Sequence, residues 1–310
     1  MSAPDPDRPA AGAETPAGAS GLNRLRALIR PIVQEYLREA GDDARWGLSL
    51  ELSIVAGSLV TFLCLTTKLG PVGYGYYAGI MALTGAVATF GGAWVSMVLI
   101  EKTIRRREPL EEVTRSSLSW TSLATMGALA AAALLGPVLL PHVSLAAIVL
   151  FVGAEVAGNQ FVQLVASILV VEHGFALSAR LKIVYVVVTT AILGAQWATN
   201  HVSLVAVGVG QFVSATIVGG AALVWAHARY GVSARPGVPR LADARTGLLY
   251  VAVLGGFNLQ EDADKMLLVR YHKTSAAGQY AAAYNIVQVV LLPLRAAVSA
   301  THWRFLVHDE

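Results

Sequence analysis

Apolar residues along this chain run in long unbroken stretches, where a soluble helix or strand would alternate them with polar ones. Such runs occupy 48–65, 77–100, 118–140, 143–171, 183–198, 202–225, 248–269 and 276–300. Each is close to or above the roughly 20 residues that carry a helix through the hydrocarbon layer. Continuous apolarity predicts helices, since a helix satisfies its own backbone hydrogen bonds in lipid. A barrel strand would instead alternate apolar and polar positions. The expected fold class is therefore all-α integral membrane, with about eight transmembrane helices. The 248–269 run differs from the others in that its second half is polar.

Composition agrees. Hydrophobic residues make up 55% and charged residues 14% of the 310, and the mean hydropathy is +0.58, too apolar for a soluble surface. Charge then gives an orientation. Seventeen of the 23 Lys and Arg fall in the amino-terminal segment and in every second loop after it, including Lys102, Arg105, Arg106, Arg107 and Arg240. Lys68, Arg270 and Lys273 fall on the opposite side. This bias predicts a cytoplasmic amino terminus in a bacterial-type plasma (inner) membrane. The net charge of +3 accordingly describes basic cytoplasmic loops; no base-reading module is visible and no nucleic acid is expected as a partner. The single cysteine, Cys64, excludes an internal disulfide framework and reads as a packing residue.

Residues 1–21 are rich in Ala, Pro, Gly and Asp without the basic start or apolar core of a signal peptide, and are expected to form a disordered cytoplasmic tail. Over 22–40 the apolar positions follow helical spacing, with Arg24, Arg26, Arg30 and Arg38 between them. This predicts an amphipathic helix, kinked at Pro31. It either lies on the membrane surface or packs on the first cytoplasmic loop.

Gly75-Tyr76-Tyr77-Ala78 and Gly278-Gln279-Tyr280-Ala281 share Gly, Tyr and Ala at an offset of 203 residues. Each follows a short expected external loop and opens the next span, and the offset corresponds to six spans. A six-helix unit that begins to repeat in the same orientation is a transporter plan, with the substrate path between the units. This divides the chain into a first transmembrane lobe at 46–228 and a partial second lobe at 244–310.

Polar residues inside spans mark candidate sites, because a charge at the bilayer centre costs about 2.5–3.5 kcal/mol on insertion scales. In the fourth span Glu155, Asn159, Gln163 and Ser167 recur every four residues and share a helix face. They either line a cavity or bond neighbouring helices together. In the seventh, Asn258, Glu261, Asp262 and Lys265 share a face with Asp264 beside it, and Glu261 and Lys265 are spaced to pair. That stripe faces a cavity or the external interface. The eighth contributes Tyr280, Tyr284, Asn285, Gln288 and Arg295; Arg295 suits either an anionic head group or snorkelling to lipid phosphates. The seven histidines pair with no carboxylate at metal-ligand spacing and no Walker-type loop occurs. Neither an enzyme, a metal site nor a cofactor is expected; coupling to a proton or sodium gradient is the implied energy source.

The stretch Lys68-Leu69-Gly70-Pro71-Val72-Gly73-Tyr74-Gly75-Tyr76-Tyr77-Ala78 resembles the first external turn of bacterial polysaccharide flippases, in the multidrug and oligosaccharidyl-lipid exporter superfamily. The stretch from Asn258 through Asp264 to Gly278-Gln279-Tyr280-Ala281-Ala282-Ala283-Tyr284 and Pro293 is similar to the start of their second lobe, with Asp264, Gly278 and Tyr280 at the matching positions. The resemblance runs from about Trp46 to the end. It implies two helical lobes around a central cavity and the turning over of lipid-linked oligosaccharide by alternating access, with membrane lipids and glycan-assembly proteins as further partners. Asn159, Gln163, Asn258 and Gln288 would bond sugars, and Lys265 or Arg295 a diphosphate. Glu155, Asp262 and Asp264 would serve ion coupling or pair with those cations. Such flippases carry more helices than are expected here, which leaves a fragment, a chain completed by a partner, or a short natural variant. A cation-coupled small-molecule antiporter of the same superfamily and a non-transporting membrane partner are the competing functions.

Overall fold

The computed structural model of the chain describes residues 21–233 and 235–291. The expected tail, the end of the eighth run with Arg295, and the side chains of 22–40 lie outside the described part.

The described chain is helical throughout its regular structure. The first helical stretch, Gly21–Ala88, is broken at Gly41 and Gly70, with φ of +62° and +66°. Those breaks separate α1 (21–40) and α2 (42–69) from α3 (71–105). The remaining helices are α4 (Leu110–Leu139), α5 (Leu145–His173), α6 (Phe175–Ala198), α7 (Leu204–Tyr230), α8 (Leu241–Arg270) and α9 (Thr274–Val290). Serines begin two of them, Ser144 accepting from Ala147 N and Ser203 from Ala206 N, each satisfying one orphan amide of the first turn. Gly231, in the left-handed region at φ +66°, ends α7.

Five apolar helical stretches among the described residues are long enough to cross a membrane, the first being Arg45–Arg105 with 61 residues. At 1.5 Å per residue that stretch would be about 90 Å long, three times the hydrocarbon thickness, so it crosses twice. Gly70 makes the reversal alone, and 71–78 is already helix. The external turn expected over 68–78 is therefore shorter than the sequence implied, because one glycine at φ +66°, ψ −177° turns the chain where an L-residue would be strained. The backbone stays helical through Pro31 and is broken at Gly41.

Side-chain contacts show which helix ends share a side. Asp43 accepts from Ala176 N, Lys102 pairs with Asp243, Trp120 Nε1 donates to the Arg240 carbonyl, and His173 packs on Tyr230. These groups define a basic end. At the far end Lys68 bonds Asn200, Trp197 Nε1 donates to Thr67, and His142 packs on His272. Helix α8 reaches from one end to the other and so runs the full depth, even though its polar half makes it less apolar than the five. Helices α4 and α6 begin earlier than their apolar runs, and Arg115, Arg180, Lys182 and Arg245 lie on helices instead of in loops. Apolar periodicity does not mark helix that continues past the hydrocarbon; Arg180 sits 4.4 Å over the Trp46 ring there.

The exterior is apolar: Leu134 is 74% and Met126 69% exposed, as expected where lipid is the solvent. Inside, one apolar cluster gathers Leu65, Ile80, Leu83, Ile148, Phe151 and Val269. A second holds Trp94, Leu99, Val113, Leu164, Ile168 and Ala226 nearer the basic end. The two related tetrads meet at the far end. A Cβ on Gly75 would collide with the Thr274 carbonyl oxygen, and one on Gly278 with that of Pro71. Pro71 and Thr274 are themselves separated by 203 residues, so the contact is reciprocal, as across a twofold axis. Both glycines are needed because two helix backbones touch there.

Candidate functional site

Six helices enclose a central cavity of about 500 Å³. Ser58 and Thr61 enter it from α2, Tyr74, Tyr77 and Thr84 from α3, and Glu155 from α5. Tyr185, Thr189 and Thr190 come from α6, Asp262 and Lys265 from α8, and Asn285 from α9. With both carboxylates ionised, the described lining residues carry one net negative charge.

Helix irregularities place several of these groups. Residues Ala154–Asn159 form a π-helical turn within α5, and such turns recur at functional sites because they re-aim side chains. There Glu155 faces the cavity and Asn159 Nδ2 donates to its Oε1 at 2.7 Å. The π-turn breaks the four-residue stripe expected along the helix. Gln163 and Ser167 fall away from the cavity, and Ser167 Oγ donates to the Gln163 carbonyl at 2.9 Å.

On α8, Lys265 Nζ donates to Asp262 Oδ1 at 2.5 Å and lies 4.5 Å from the Tyr284 ring centroid. Among the described residues Lys265 pairs with Asp262, one helical turn back. The side chains of Asn258, Glu261 and Gln288 lie outside the described part. Asp264 points to the neighbouring face, where it accepts from Lys265 N at 2.7 Å and bonds Tyr280. Asn285 Nδ2 donates to Tyr74 Oη at 2.8 Å, tying α9 to α3 across the cavity. The Thr84 hydroxyl is buried against the lining without a hydrogen-bond partner among the described residues, a group poised to bond whatever enters.

Of the sequence-derived candidates, Glu155, Asp262, Lys265 and Asn285 line the cavity. Asn159 supports Glu155 from behind, Gln163 and Asp264 are elsewhere, and Asn258, Gln288 and Arg295 are not described. Tyr74, Tyr77, Thr189 and Thr190 were not singled out for it. The tyrosines stood in a segment read as a turn, whereas the adjacent threonines in an apolar run were a usable signal.

The basic end closes over a second polar group, absent from the candidates. Lys102 pairs with Asp243, both side chains at most 5% exposed, and lies 3.5 Å from Glu108. Ser116 Oγ donates to Asp243 Oδ2 at 2.7 Å, while Arg240 bridges Glu108 at 3.0 Å and Glu112 at 2.5 Å. Gly237 N donates to the Arg115 carbonyl at 2.9 Å. The α7–α8 connection is thereby clamped onto α3 and α4. No arrangement of three or more metal-ligating side chains occurs among the described residues.

No protein-family model matches the sequence, and no curated protein matches it. Two solved structures are similar in fold. The MATE multidrug transporter DinF-BH superposes with a TM-score of 0.64 at 14% identity, over 89% of this chain and 66% of that one. Protein A superposes with a TM-score of 0.66 at 14% identity, over 94% of this chain and 65% of that one. The chain spans about two thirds of the length of the structures it matches. It is a multi-pass membrane protein with the helical fold of a MATE multidrug transporter.

Proposed function

We propose that the chain turns lipid-linked oligosaccharide, carried on a polyprenyl diphosphate, from the cytoplasmic to the outer leaflet of the plasma membrane by alternating access. The observation that carries this reading is the central cavity, where among the described residues many hydroxyls and the Asn285 amide stand with the Lys265 cation and its partner Asp262. Hydroxyls and amides suit sugars, and a cation suits a diphosphate. The resemblance of the 68–78 and 258–284 segments to polysaccharide flippases supports the choice of substrate. Substrate enters between the lobe at 46–228 and the α8–α9 pair, while α1 rests on the cytoplasmic surface. Protons or sodium ions couple through Glu155. Glycan-assembly proteins hand the substrate over.

Gene deletion tests this directly. Lipid-linked oligosaccharide is expected to accumulate on the inner leaflet, and undiminished surface glycan without accumulation would refute the reading. One observation favours a second reading, cation-coupled export of organic cations. With both carboxylates ionised the described lining has a net negative charge, and it carries the Tyr74, Tyr77 and Tyr185 rings, which attract cations over their faces. Cationic-dye efflux that falls with both Glu155→Gln and Asp262→Asn, in cells with normal surface glycan, would select it.

A further inference from the structure

A second cavity, about 550 Å³, lies between α3, α4 and α8. Its thirteen described lining residues, Leu83, Val87, Leu135, Leu259 and Met266 among them, are all apolar or glycine. From Ala124 to Leu139 it follows α4 for about 22 Å along the bundle, the direction in which lipid chains lie.

This groove shares its walls with the central cavity. On α8, Leu259 and Met266 face the groove while Asp262 and Lys265 face the cavity. On α3, Leu83, Ala86 and Val87 face the groove while Ala82, Thr84 and Gly85 face the cavity. Only the α3–α8 seam separates the two volumes, and small residues line it. A Cβ on Gly85 would lie 3.4 Å from Asp262 Oδ2, and one on Gly255 3.6 Å from Thr89 Cγ2. The α3 backbone leaves helical geometry beside it, in the π-turn Thr89–Ala93 with Gly92 at φ +131°.

We propose that this groove holds the hydrocarbon chain of an amphiphilic substrate while its polar head occupies the central cavity, the molecule crossing the α3–α8 seam. The proposal rests on the reading of the cavity as a polar-head site. A hydrocarbon chain gains little by leaving bulk lipid for an apolar groove, so the groove is not a source of affinity. It keeps the methylenes next to the head out of the polar cavity.

A Cβ on Gly127 would meet open space on the groove wall. Gly127→Leu therefore fills the groove without a clash, and Gly127→Ala brings the same gain in helix propensity while leaving the groove open. The test uses the full chain in vesicles with three probes: a polyprenyl diphosphate with a photoreactive group in its chain, a short-chain diphosphate, and a phospholipid with the same group. The polyprenyl probe is expected to label the groove faces of α3, α4 and α8. Gly127→Leu should abolish that groove labelling by displacing the chain into bulk lipid, with Gly127→Ala and the short-chain probe unaffected. Labelling spread evenly over all outer helix faces, as with the phospholipid, would overturn the proposal, as would unchanged labelling in Gly127→Leu. Groove labelling without glycan transfer would retain the chain site and sink the flippase reading. Glycan transfer with Gly127→Leu silent in both assays would do the reverse.

Discussion

Removing Lys102 tests whether the basic end is held by its buried ion pair. Breaking a buried pair by deleting one partner costs about 3–5 kcal/mol, because an uncompensated charge remains. The two partners are not equivalent here. In Lys102→Met, Asp243 keeps the Ser116 hydroxyl at 2.7 Å and its place in the first turn of α8, where the helix dipole contributes about 0.3–1 kcal/mol. Arg240 stands in the same clamp but is held by Glu108 and Glu112, so a net loss of about 3 kcal/mol is expected. In Asp243→Asn, Lys102 keeps Glu108 at 3.5 Å, and the loss should be nearer that of one charged hydrogen bond, about 1.5–3 kcal/mol. The double variant removes both charges and should be close to the milder single one, a coupling of about 3 kcal/mol. Denaturant unfolding of the purified chain in mild detergent measures all four proteins. Losses of equal size that simply add would refute the reasoning, as would a Lys102→Met protein as stable as the parent.

Gly75→Ala and Gly278→Ala each push a methyl group into a backbone carbonyl at the far end. Each should cost about 1–3 kcal/mol, read by the same unfolding assay, with alanine tolerated at Gly220, where a Cβ meets nothing within 4 Å. Gly70→Ala forces an L-residue into backbone open essentially to glycine, and a loss of about 1–3 kcal/mol is expected. Tyr74→Phe removes the Asn285 bond and should cost about 1 kcal/mol; no change would mean that the α3–α9 tie is replaced by solvent. Glu155→Gln keeps the bulk but removes the charge, and reconstituted transport should lose its dependence on the proton or sodium gradient.

The helical membrane character of this chain was legible in the sequence because it is local. A continuous apolar run has one stable backbone solution in lipid, and each run carries its own evidence. Turns were less legible. Gly70 reverses the chain by itself, and helices such as α6 extend beyond their apolar windows, where no lipid enforces a pattern. The polar stripes announced intramembrane function, yet spacing alone did not select Glu155, Asp262 and Lys265 from their neighbours. A π-turn and the packing of six helices made that selection. Lys102 and Asp243 carried no signal at all, being ordinary loop charges until α8 docks on α3. Nor did any local pattern separate the polar volume from the apolar one beside it, since both faces belong to the same two helices. The 203-residue recurrence was written in the sequence; that its two glycines touch reciprocally was decided only by tertiary structure, because backbone contact between distant helices leaves no local periodicity to read.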